Sequence, residues 1–163
     1  MDIEEVDIYE FSKRDEEVPH SRTYIVRIDD QKVRFNSPYP TGEELLERVG
    51  KKSCAYELIE ELVHGETKVV EPEEEVNLRE RGLKGFVTTH RKIVTISIND
   101  KPYQIESGDR SVSEILNLVG QKPDGYVLFE EKEGPPMPLP DNVPVRVEGC
   151  EVFYSQPQSG GSS

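Results

Sequence analysis

The sequence predicts an α+β chain built from two tandem copies of one small unit. Three observations carry this. The stretch "TGEELLERVGKK" at residues 41–52 returns as "SVSEILNLVGQK" at 111–122. Glu44, Leu46, Val49, Gly50 and Lys52 fall on Glu114, Leu116, Val119, Gly120 and Lys122. Upstream, "YIVRIDDQKVRF" parallels "VTISINDKPYQI". Downstream, with a short gap, "VNLRERGLKGFV" parallels "VPVRVEGCEVFY", which sets Gly82 and Phe86 on Gly149 and Phe153. The copies cover residues 22–90 and 92–155. Self-similarity of this kind decides the architecture before any local signal does.

Each element follows in order, read on both copies together. "VRID" and "ISIN" alternate as strands do. A polar turn, "DDQK" or "NDKP", leads into a second alternating stretch, "VRF" or "YQI", which makes a hairpin. A capping box opens a helix in each copy, with Thr41 three residues before Glu44 and Ser111 three before Glu114. Leu45, Leu46 and Val49 give that helix one apolar face, and Gly50 and Gly120 stop it as left-handed C-caps. "AYELIEEL" would pass for helix alone. Its counterpart "GYVLFEEKEGPP" reads as strand, so both are strands. A short strand, "TKVVE" or "MPL", completes a second hairpin. A turn then leads to the closing strand, "KGFVTT" or "EVFYS".

The order ββαβββ, with one helix across a mixed sheet, is the β-grasp arrangement of the α+β class. Units of this size bury modest cores. The expected core is Ile28, Leu45, Leu46, Val49, Leu58 and Phe86 in the first copy. In the second it is Ile98, Ile115, Leu116, Val119, Leu128 and Phe153.

Composition narrows the function classes. The net charge of −13 argues against nucleic acid, which needs clustered Lys and Arg, and against an anionic membrane surface. No apolar run reaches the roughly 20 residues of a membrane span, and the acidic opening "MDIEEVDIYE" is unlike a secretory signal. Residues 1–21 are expected to be a flexible acidic extension, with interleaved apolar residues that would also allow docking on a partner or on the first copy. Cys54 and Cys150 are too few for a disulfide framework or a zinc site. They read as reduced thiols of a cytoplasmic protein, with Cys150 a small buried apolar residue. His20, His64 and His90 have no ligand spacing, and the glycines form neither a P-loop nor a dinucleotide fingerprint. Nothing in the pattern asks for an enzyme, a cofactor or a metal.

Two such units, each with a "TGxELLxxVGK"-like helix and a "VxLxxxGxxxF" ending, resemble the bacterial multiubiquitin family. The stretches "PTGEELLERVGKKSCAYELIEEL" and "EEEVNLRERGLKGFVT" carry the likeness. The resemblance implies two tandem β-grasp, ubiquitin-like domains. It also implies a protein modifier encoded beside an activating-like enzyme, a conjugating-like enzyme and a processing protease. ATP would be consumed by the activating partner and not bound here.

The end of the chain, "SQPQSGGSS", takes its meaning from that resemblance. A modifier reacts through a C-terminal glycine carboxylate, and here Ser162 and Ser163 follow Gly160 and Gly161. A protease would first cut between Gly161 and Ser162. Phe153 is expected to end the closing strand, with Tyr154 to Ser159 as an extended arm reaching about 20 Å. Residues 156–163 are then a flexible tail. The preceding "SQPQS" has none of the Arg and Leu of the ubiquitin tail. The boundary "FVTTHRKIV" has no glycine pair, so the two units are expected to travel together. Two alternatives stand beside this reading. One is a tandem module that binds partners non-covalently; the other is a sulfur carrier. Lys51 and Lys122 are among the lysines that a modifier could be attached to.

Overall fold

The computed structural model describes residues 4–158. The protein is mixed α+β, and the chain divides into two units after His90. Among the described residues, no helix is long and apolar enough to cross a membrane.

In the first unit, β1 (Glu5–Asp7) and α1 (Ile8–Ser12) precede a hairpin of β2 (Thr23–Ile28) and β3 (Gln31–Phe35). Asp29 and Asp30 join the hairpin at φ 51° and 64°. Two successive left-handed residues make the type I′ turn that matches strand twist. Helix α2 (Gly42–Arg48) starts at Thr41, whose hydroxyl accepts from the Glu44 amide. It stops where Gly50, at φ 72°, lets Lys51 N–H bond to Leu46 O at 3.0 Å. That is the Schellman closure. Strands β4 (Tyr56–Leu62) and β5 (Thr67–Val70) pair antiparallel. The closing strand β6 (Leu83–His90) runs antiparallel to β4 and parallel to β2, where Ile28 faces Phe86. A Cβ on Gly85 would sit 2.7 Å from Arg27 O, so only glycine lets β6 approach β2 this closely.

The N-terminal extension departs from expectation. It is not a flexible tail. Strand β1 pairs parallel with the first half of β2, and α1 packs on β2 and β6. Val6, Ile8 and Val18 are buried in the same core as Leu45, Leu58 and Phe86. Charge fixes the outside of this graft. Arg34 Nε donates to Glu5 at 3.0 Å, Arg81 Nε to Asp15 at 3.0 Å, and the Arg27 guanidinium lies 4.2 Å from the Tyr9 ring centre. The high charge hid a short apolar face, which supplies the driving force.

The second unit repeats the hairpin, the helix, the strand after it and the closing strand. Strands β7 (Ile93–Ile98) and β8 (Lys101–Glu106) form a hairpin through Asn99 and Asp100, at φ 53° and 68°. A short β9 (Gly108–Arg110) leads to α3 (Val112–Asn117), where the predicted capping box is complete. In the first unit the Glu44 carboxylate instead accepts from the Thr41 hydroxyl. Strand β10 (Tyr126–Glu130) follows, then β11 (Val145–Val147), which pairs with β9, and β12 (Val152–Pro157). Strand β12 lies between β10 and β7 and runs parallel to β7, with Ile98 facing Phe153.

"MPL" does not form the expected strand. Only one bridge, Phe129 to Pro138, marks it. Pro135, Pro136, Pro138 and Pro140 remove the donors a ladder needs. The expected core residues all lie in the two clusters, Val49 and Val119 only partly buried. Cys150 is half-buried at φ 74°, not a buried apolar filler, and neither it nor Cys54 is a free thiol.

Ile8 is the sharpest test of the grafted extension. Ile8→Ala is expected to destabilise the protein by about 2–5 kcal/mol, the usual loss for a buried isoleucine, as read from urea unfolding. A flexible extension would leave the transition unmoved.

Candidate functional site

Whatever the tail does, its position is set by β12 and what holds it. Phe153 anchors this strand in the core, fully buried. Beyond it the strand does not end as expected. It continues to Pro157, with Phe129 facing Tyr154 and Tyr126 facing Pro157 across β10. The proline does not break the pairing. The next ladder bond comes from Gln158 N–H to Gly125 O at 2.9 Å, so the missing Pro157 donor falls on the side away from β10.

Two clamps hold this segment. At its middle, the Asn99 side chain accepts from Ser155 N–H at 2.9 Å and donates to the Ser155 hydroxyl at 2.9 Å. At its end, Gln158 Nε2 donates to Pro123 O at 2.7 Å. The turn that receives it is closed by Lys122 O, which accepts from Gly125 N–H at 3.1 Å and Tyr126 N–H at 3.0 Å. Lys122, Asp124, Gly125 and Gln158 are exposed around the exit. Tyr154 to Gln158 are therefore not the free arm expected of them. Gly160, Gly161 and Ser162 lie outside the described residues. Only Ser159 and Gly160 separate Gln158 from Gly161, a span of about 10 Å at most for an extended chain.

The corresponding clamp in the first unit is ionic. Asp29 accepts from Thr88 N–H at 2.8 Å, from the Thr88 hydroxyl at 2.5 Å and from Lys51 Nζ at 2.9 Å. Partial burial pushes the Asp29 carboxyl up, but the Thr88 and Lys51 bonds outweigh it and hold the carboxyl below its ordinary range. Lys51 also bonds the Thr88 hydroxyl and lies over the Tyr56 ring. An ammonium held this way is poorly placed as an attachment point. Lys122 is exposed and differs in this respect.

A further polar cluster escaped the sequence reading. Glu60 on β4 is 7 % exposed and lines an open cleft of about 350 Å³ with Glu74, Glu80 and Lys68. Lys68 pairs with Glu74 at 2.9 Å. Burial, and then the Glu80 carboxyl beside it, push the Glu60 carboxyl up to about 7. The signal was available, since period-two alternation puts Glu60 on the same face as buried Leu58.

Residues 24–91 match the multiubiquitin family, so the first unit carries a multiubiquitin domain. No curated protein and no solved structure matches the chain.

Glu60 generates a pH prediction. Its folded value of about 7 lies above the ordinary 4.5. Between the two, the unfolded chain releases a proton that the folded chain keeps, so stability falls as pH rises. Glu60→Gln is expected to stabilise the protein near pH 8 by on the order of 1–3 kcal/mol, with the gain fading towards pH 4. Urea unfolding across that range measures it.

Proposed function

On the premise that residues 24–91 are a multiubiquitin domain, we propose that this chain is the precursor of a ubiquitin-like protein modifier with two tandem β-grasp units. One observation supports this above the others. The multiubiquitin domain is followed by a second unit whose four-stranded sheet has the order of the first unit's β4, β6, β2 and β3, and that unit's last strand leads within four residues of Pro157 to Gly161. In both units the first and last long strands are parallel neighbours, with the hairpin partner outside the first. One helix lies between that hairpin and the third long strand in each, as a β-grasp requires.

The chemistry belongs to the partners, and this chain is their substrate. A processing protease hydrolyses the Gly161–Ser162 amide, consuming one water and releasing the Ser-Ser dipeptide. The activating-like enzyme joins the new Gly161 carboxylate to ATP, with loss of pyrophosphate, to give an acyl-adenylate. A cysteine thiolate displaces AMP to form a thioester. The conjugating-like enzyme takes over the acyl group, and a nucleophile on the target displaces that thiolate. Glycine suits the reacting end because it has no Cβ to obstruct a narrow channel. Only Arg91 and Lys92 separate β6 from β7, with no glycine pair to cut. The two units therefore travel as one modifier.

Incubation with the processing protease encoded beside this chain, followed by intact mass, tests the reading. The expected product lacks Ser162 and Ser163 and nothing else, and then forms an ATP-dependent thioester. Gly161→Val is expected to block both steps. An unchanged wild-type mass with an active protease would leave a non-covalent binding module as the better description.

A further inference from the structure

The short stretch of sequence between Gln158 and Gly161 has a steric consequence. Gln158 is tied by its backbone N–H to Gly125 and by its side chain to Pro123. Gly161 follows three residues later, so its carbonyl stays within about 12 Å of the Gln158 Cα. A folded enzyme of 100 residues already has a radius of gyration of about 13 Å. An enzyme that encloses the Gly161–Ser162 bond in a channel therefore comes up against the turn beside Gln158.

We infer that the enzyme that cuts after Gly161 docks on the exit rim of the second unit, reading the exposed pair Lys122 and Asp124 beside the Gln158 clamp. This inference rests on the modifier reading above. The rim carries a cation and an anion two residues apart, both exposed, on a turn that Lys122 O holds closed. A partner fits it with the opposite order of charges around the mouth of its channel. Such a pattern fixes orientation and rejects wrong partners. The clamp contributes stiffness, since a chain already fixed as far as Gln158 has less freedom to lose on docking.

The test is a charge swap in the full-length chain, Lys122→Glu with Asp124→Lys. The swap keeps the net charge, so long-range steering is unchanged and only the local pattern is reversed. Both side chains are exposed, and an unchanged melting temperature verifies the fold. Cleavage by the processing protease is followed by intact mass over time. The swap is expected to slow cleavage at least tenfold. In a second chain, with a six-residue Gly-Ser spacer inserted after Gln158, the same swap is expected to change the rate less than twofold. The spacer lets the enzyme reach Gly161 without touching the rim. If the wild-type chain is cut and the swapped chain is cut equally fast, the inference is overturned while the modifier reading stands. Slowing that persists undiminished in the spacer chain overturns it too. If the wild-type chain is not cut at all, it is the modifier reading that fails.

Discussion

The structure depends on one pairing made twice: the first and last long strands of each unit lie side by side and parallel. Ile28 meets Phe86 in the first unit and Ile98 meets Phe153 in the second. Parallel neighbours cannot be joined by a tight turn, so the chain between them must cross over. The helix and the middle strands are that crossover, the strands extending the sheet and the helix burying Leu45 and Leu46, or Ile115 and Leu116, in the core with the central pair. The pairing also explains two local features. Gly85 lies where the β2 backbone at Arg27 leaves no room for a Cβ on β6. The left-handed turns at Asp29 and Asn99 place side chains that bond the closing strand two residues beyond its central phenylalanine.

Much of this was legible in the sequence, and the reasons are local. The hairpins, the helix starts and the glycine stops each depend on a few adjacent residues whose chemistry has few solutions. The repeat helped where one copy was ambiguous. "AYELIEEL" has the composition of a helix, and only its counterpart made it strand β4. What escaped reading depends on contacts distant in sequence. The N-terminal extension is more than half polar, and its apolar residues gain a function only because β2 leaves half an edge open to Val6 and its neighbours. Phe153 reads as the end of the closing strand, yet β12 runs on to Pro157, whose missing donor falls on the side away from β10. Conversely, the prolines around "MPL" keep that stretch from pairing as β5 does. The glycines and serine of the expected processing site, Gly160, Gly161 and Ser162, were legible only through the resemblance, since no periodicity or spacing singles them out.

The two units share a plan but not a surface. The first is thickened by its own N-terminal strand and helix, with an arginine over a tyrosine on the outside. It also buries an acid, Glu60, at a position where the second unit has Glu130, half-buried and likewise pushed up by burial. The second lacks a regular counterpart of β5 and has instead a proline-rich loop that leaves Met137 largely exposed. A repeat that has diverged this way keeps the buried pairings that the fold needs and varies the edges.

That divergence reaches the clamps themselves. The first unit bonds its closing strand with a carboxylate, and the second does so with a carboxamide. Asp29 is held below its ordinary range, so its contribution is present above the unfolded value and disappears as acid protonates it. Asn99 carries no proton to gain. Acidification therefore weakens the bonds that hold the closing strand of the first unit, while the corresponding bonds in the second unit involve no titrating side chain. The same point of the fold thus answers acid in one unit and not in the other.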